Sequence, residues 1–175
     1  MKRIAIDMDE VMADTMAHFL AKYNSNFGVG LKTEHFQGRH VFEVIEEAHR
    51  PEAREYFQQE AFFANIPVMP DSPEVIQALT ERFEVFITTA AMDVPNSFTA
   101  KFEWLQRHFP FIPTSNIVFC GDKSIVLADY LIDDNLRQLT NFRGEGILFT
   151  APHNVNETRF RRVNNWQDVR TLFLA

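Results

Sequence analysis

The chain alternates between short blocks of bulky apolar residues and longer stretches with helical spacing. Ile4-Ala5-Ile6 has no polar position, as a buried strand requires. Four later runs share its character: 83–87, ending at Thr88-Thr89; 117–119, ending at Cys120-Gly121-Asp122; 130–132, ending at Asp133-Asp134; and 146–149, ending at Thr150-Ala151-Pro152. Each of the five apolar blocks therefore stops at polar or turn-forming residues. Helical patterns separate the later blocks. Ser72-Pro73-Glu74 opens one, with Ser as the cap, Pro at the first helical position and Val75, Ile76 and Leu79 as its apolar face. A second is expected over 95–108, with Phe98, Phe102 and Leu105 at helical spacing, and a third over 165–173, turning Trp166, Val169 and Phe173 inward. Strands that alternate with helices predict an α/β fold, a parallel Rossmann-like sheet with helices on both faces.

The segment 14–69 breaks this rhythm. It has no clear strand and is rich in aromatic residues, among them Phe19, Tyr23, Phe36, Tyr56, Phe57 and Phe63. It reads as a small helical insertion after the first strand, with Pro67 and Pro70 marking the return. The expected division is a core of residues 1–13 and 70–175 and an inserted unit of residues 14–69.

Composition narrows the function. Hydrophobic residues make up 46% of the chain and include 18 Phe, enough for a substantial core. A net charge of −7 argues against a nucleic-acid polymer as partner, since that backbone rewards clustered Lys and Arg. A small phosphate ester needs only local positive charge. With one cysteine, Cys120, neither an intrachain disulfide nor a Cys-based zinc site is expected. Acids interrupt the apolar run that follows the basic start, so neither a signal peptide nor a membrane span is expected, and the cytosol is the expected compartment.

In an open parallel sheet, ligands bind beyond the carboxyl ends of the strands. The residues at those ends here are Asp7 and Asp9, Thr88 and Thr89, Asp122 and Lys123, and Asp133 and Asp134. Taken singly, an Asp there is a turn residue or a helix cap, and Asp14 and Asp122 are read that way. Taken together, clustered carboxylates call for a cation. An all-oxygen donor set suits Mg²⁺, which shares its shell with a substrate phosphate. Lys123 and a Thr hydroxyl can hold further phosphate oxygens. The chemistry that fits is phosphoryl transfer. The six histidines are scattered without a metal-binding pair, and Trp104 is expected in the core.

These residues resemble the haloacid dehalogenase superfamily of phosphatases. DMDEV, residues 7–11, is similar to its first motif, Asp-x-Asp followed by a small or apolar pair. Ile87-Thr88-Thr89 resembles the second, Lys123 the third, and Leu131-Ile132-Asp133-Asp134 the fourth, in order across most of the chain. Within the superfamily, GDKSIVLADYLIDD, residues 121–134, is similar to the Asp-Lys-x-x-x-x-x-Asp-x-Leu-Ile-Asp-Asp signature of the 5′(3′)-deoxyribonucleotidases. DMDEVMAD, residues 7–14, likewise resembles their Asp-Met-Asp-Gly-Val-x-Ala-Asp start.

The resemblance implies that Asp7 is the nucleophile that forms an aspartyl-phosphate and that Asp9 is the acid and base. It implies that Thr89 and Lys123 bind the phosphoryl group. The Asp7 carboxylate, the Asp9 carbonyl and the Asp134 carboxylate would hold Mg²⁺, with Asp133 supporting the metal shell. It further implies that the insertion is a cap, that the substrate is a deoxynucleoside monophosphate, and that the enzyme is a homodimer. Two positions depart from the pattern. Glu10 stands where Gly is usual, so its side chain must point away from the phosphate, and Thr15 stands where the deoxyribonucleotidases carry a Phe that packs on the base. The segment Gly38-Arg39-His40-Val41-Phe42 is only loosely similar to their aromatic base contact. The alternatives are a phosphatase of another small phosphorylated metabolite, a receiver-type domain, and a non-catalytic phosphate-binding relative. Paired acids on the first strand and a cap-sized insertion speak against the receiver.

Overall fold

Six parallel strands form one sheet: β1 (Arg3–Ile6), β2 (Glu84–Thr89), β3 (Ile117–Phe119), β4 (Tyr130–Asp133), β5 (Glu145–Phe149) and β6 (Arg161–Val163). The computed structural model describes residues 1–175. The spatial order is β3-β2-β1-β4-β5-β6, so the direction of winding reverses between β1 and β4. That reversal opens a crevice at the carboxyl ends of these two strands. Their register sets Ile6 beside Ile132.

Alternate strand residues face opposite sides of the sheet. Ile4 and Ile6 join Val85, Ile87, Ile132 and Ile147 in the larger core. Ala5, Leu131 and Leu148 meet Leu139 and Phe142 on the other side. Eight helices surround the sheet: α1 (Thr15–Phe27), α2 (Val41–Val44), α3 (Arg50–Tyr56), α4 (Glu60–Ala64), α5 (Ser72–Thr80), α6 (Phe98–His108), α7 (Leu136–Asn141) and α8 (Trp166–Leu174). Helices α5, α6 and α8 pack against the larger core, and α7 covers the opposite face. None is long and apolar enough to cross a membrane.

Helices α1 to α4 lie between β1 and β2, where the sequence places its helical insertion. Asp14 caps α1 by accepting from Ala17 N–H at 3.0 Å. Phe19 stacks on Phe57 with ring centres 5.8 Å apart, and Tyr56 adjoins it. Two tryptophans hold the chain just before the insertion and near its end. Trp166 Nε1 donates to Val11 O at 2.8 Å and Trp104 Nε1 to Ile66 O at 2.7 Å. Both tryptophans are fully buried, and each bond satisfies a carbonyl at a chain crossing.

The structure moves three sequence expectations. It adds β6, which carries no apolar run because only Val163 is buried, while Arg161 is exposed and Arg162 half-buried. The position before helix α5 is held by Asp71, in the left-handed region with φ 65° and without a side-chain capping hydrogen bond, and not by Ser72. Ser72 is instead its buried first residue, with its hydroxyl donating to Met69 O at 2.8 Å. Helix α6 starts at Phe98, after two short 3₁₀ turns, and its inward stripe is Ala100, Lys101, Trp104 and Leu105. Phe102 is 40% exposed, because the larger Trp104 and an ion-paired Lys101 occupy the inward face. Helix α8 keeps the expected pattern, with Trp166 and Val169 fully buried and Phe173 partly so.

Candidate active site

Backbone pairing continues one step past the end of β1. Asp7 N–H donates to Ile132 O at 2.9 Å, which sets Asp7 beside Asp133 at the winding reversal. Lys123 reaches the same place from the loop after β3, where Asp122 caps a short turn by accepting from Ser124 N–H at 2.9 Å. The Lys123 ammonium is 1% exposed. It donates to Asp7 Oδ1 and to Asp133 Oδ2, the latter at 2.5 Å. Asp134 adjoins them: one carboxylate oxygen each from Asp7, Asp133 and Asp134 lie within 4.8 Å of one another. Asn154 Nδ2 and His153 Nε2 hold the Asp134 carbonyl at 2.9 and 3.2 Å. The Asp134 carboxylate accepts no hydrogen bond from the chain, and His153 Nε2 lies 3.6 Å from its Oδ2.

Asp9 faces the same space from the turn after β1. Its carboxylate pairs with Lys101 Nζ and accepts from Thr15 Oγ1 at 3.4 Å. Lys101 also donates to Thr89 Oγ1 at 3.2 Å. A cavity of about 310 Å³ opens over Asp7, Asp9, Lys101, Lys123, Asp133 and Asp134. Phe57 and Phe63 of the insertion form part of its wall. Every predicted site residue except Thr89 lines it. Thr89 is fully buried behind Lys101. Glu10 does turn away from this cavity. Its backbone sits at φ 59°, and its Oε1 accepts from Met16 N–H at 2.5 Å, near the start of α1. It lines a side cavity of about 160 Å³ that adjoins the first through Thr15 and Phe57.

Burial governs the charges. It pushes the Asp7 carboxyl up to about 7, against the pull of Lys123. Burial, with Asp7 and Asp133 beside it, holds Asp134 well above the usual carboxylate range. Burial also pushes Glu10 up to about 8, opposed by the Met16 N–H. For Lys123, burial acts downward, but Asp7 and Asp133 outweigh it and raise the ammonium. One ammonium thus faces three buried carboxylates, an arrangement that a further cation relieves.

The residues fit Mg²⁺ on donor chemistry. All the donors are oxygens, Asp134 keeps its carboxylate free, and the Asp9 carbonyl takes no hydrogen bond within the chain. Lys101 is the site residue that sequence reasoning missed. The available signal was its place three residues before Trp104, which sets a lysine on a buried stripe of α6. His153, read as one of several scattered histidines, stands beside Asp134.

The whole chain, residues 1–175, matches the family model described as 5′ nucleotidase, deoxy (Pyrimidine), cytosolic type C protein. A Staphylococcus aureus protein named "Putative 5'(3')-deoxyribonucleotidase" is 50% identical over 173 residues, covering 99% of this chain and 96% of the relative. The 5′(3′)-deoxyribonucleotidase of Bacillus subtilis is 39% identical over 173 residues, covering 99% of each chain. Among solved structures, a haloacid dehalogenase-like hydrolase from Streptococcus pneumoniae superposes with a TM-score of 0.62 at 12% identity, covering 99% of this chain and 98% of the other. That last likeness is one of fold.

Proposed function

The chain belongs to the family of 5′ nucleotidase, deoxy (Pyrimidine), cytosolic type C proteins, hydrolases of phosphoric monoesters, and we propose that it is a Mg²⁺-dependent 5′(3′)-deoxyribonucleotidase acting on deoxynucleoside monophosphates. One observation carries the reading. Asp7, Asp9, Lys123, Asp133 and Asp134 come from three separate strand ends and line one cavity at the winding reversal. The receiver-type alternative belongs to a different family and loses its support.

In this reading the Asp7 carboxylate attacks phosphorus, and the ester P–O bond breaks to leave an aspartyl-phosphate. Asp9 gives its proton to the departing oxygen. A water then attacks phosphorus and passes a proton to Asp9, which releases inorganic phosphate and restores Asp7. Lys123 and Lys101 hold phosphoryl oxygens and balance their charge. The substrate phosphate draws Lys101 from Asp9 and uncovers the Thr89 hydroxyl, which then serves as a further donor. The Asp7 and Asp134 carboxylates and the Asp9 carbonyl would hold Mg²⁺, with Asp133 steadying the site through Lys123. Bound there, the ion would neutralise phosphate charge and so favour the anionic transition state.

Residues 14–69 act as a cap over the core of residues 1–13 and 70–175, a division supported by Phe57 and Phe63 reaching the cavity. The reading extends to a cytosolic location and to a homodimer, the latter checked by light scattering. The deciding experiment is phosphate release by the purified protein over ribo- and deoxynucleoside monophosphates and sugar phosphates, with Mg²⁺ and with EDTA. Preference for deoxynucleotides supports the proposal. Activity that spreads over sugar phosphates refutes the substrate, and activity that survives EDTA refutes the metal.

A further inference from the structure

The loop that delivers Lys123 has a problem of support. It leaves β3, which stands three positions from β4, with β2 and β1 between them. No neighbouring strand fixes it where it crosses toward Asp133. One buried side chain supplies the missing contact. Gln138, on α7 and 4% exposed, accepts from Lys123 N–H through Oε1 at 2.9 Å and donates through Nε2 to Gly121 O at 3.1 Å. We propose that Gln138 is a positioning residue for Lys123, setting the lysine against Asp7 and Asp133 by clamping both sides of its loop.

The inference rests on the phosphatase reading for the role of Lys123, but the clamp itself is read from geometry. Helix α7 starts immediately after the acidic pair. Asn135 N–H donates to Asp133 Oδ1 at 2.8 Å, and the Asn135 side chain caps the helix by accepting from Arg137 N–H at 3.0 Å. Gln138 therefore rides on the same rigid piece as Asp133 and Asp134. The path from Asp133 through α7 and the amide to the Lys123 backbone is short. A lysine side chain has four rotatable bonds, so its aim depends on a fixed backbone.

The chemistry of the clamp is selective. One acceptor and one donor are needed on adjacent atoms, and an amide has both. Turned over, it would set Nε2 against an N–H and Oε1 against a carbonyl, so its orientation is fixed by its partners. Glutamate keeps only the acceptor, and methionine keeps the length but neither function. Because Gln138 also borders the cavity, a direct contact with substrate is the competing role. The two roles differ in whether the effect passes through Lys123.

The test is a double-mutant cycle of Gln138→Met and Lys123→Met. It is read by kcat and KM on p-nitrophenyl phosphate with Mg²⁺, by calorimetric binding of inorganic phosphate, and by melting temperature. In the wild-type background Gln138→Met should lower kcat about tenfold or more, since small misplacements in a reacting site act on that scale. It should weaken phosphate binding and, because it leaves the buried Lys123 N–H without its acceptor, lower the melting temperature by about 2–12 °C. In the Lys123→Met background the same change should alter either readout by less than about twofold. Gln138→Glu should fall between wild type and Gln138→Met, and it carries the test if the Met variant does not fold. Wild-type rates in the variants, a full-sized effect without Lys123, or a loss of stability without a loss of rate would each overturn the proposal. A wild-type protein that turns over no phosphate monoester would refute the phosphatase reading instead, and the phosphate-binding cycle would still decide the role of Gln138.

Discussion

Replacing Asp7 with Asn should abolish turnover and yet, in EDTA above neutral pH, make the fold more stable. Asp7 is 6% exposed, and burial pushes its carboxyl from 3.8 up to about 7, with Lys123 opposing and Asp133 and Asp9 adding to the rise. A raised carboxyl binds its proton more tightly in the folded chain than in the unfolded one. Its stabilising effect is complete below the unfolded value and is lost as pH rises from there through about 7. A shift of about three units corresponds to roughly 4 kcal/mol, which the folded protein forfeits by ionising Asp7. Asn has no such penalty, and the charged hydrogen bond it takes from Lys123 is already contained in that figure, because the pull of Lys123 is part of the value of about 7. Asp133 remains as its partner at 2.5 Å. The gain is therefore roughly 4 kcal/mol, or about 8–16 °C in melting temperature for a chain of this size. The assay is thermal unfolding in EDTA at about pH 8 and about pH 5.5, on either side of the Asp7 transition. The gap between variant and wild type should be wide at the higher pH and about half as wide at the lower. A variant that melts below wild type at high pH, or an equal gap at both, would refute the electrostatic reasoning.

Three further predictions concern the metal and the packing. Mg²⁺ at about a hundredfold its dissociation constant should stabilise the wild type by about 2.7 kcal/mol, seen as a rise of about 5–11 °C in melting temperature. Asp134→Asn should lose most of that rise; an undiminished one would remove Asp134 from the metal site. Trp104→Phe leaves the buried Ile66 carbonyl without its donor and should destabilise the protein by about 1–3 kcal/mol in urea unfolding. Gly38 has φ 69°, a conformation that a Cβ strains, so Gly38→Ala should cost about 1–2 kcal/mol by the same assay, with the Asn156 side chain displaced.

Short-range chemistry determined much of this protein. The apolar runs of β1, β2, β4 and β5 are visible because a strand buried on both faces leaves few polar positions, and their polar ends mark the sheet edge that carries the cavity. Asp7 and Asp9 were legible for the same reason, since both lie within one segment at the end of an apolar block. Asp133 and Asp134 were too. Strand β6 was not: with two arginines in three residues, it becomes a strand only by pairing with β5. Lys101 was not legible as a site residue either. It stands 92 residues from Asp9, and its role depends on which stripe of α6 faces inward. Gln138 looks like any polar helix residue until α7 sets it against a loop 15 residues away. Tertiary structure decided these cases because burial, ion pairing and hydrogen bonding act through space. Their strength depends on separations and solvent exclusion that do not exist until the chain has packed.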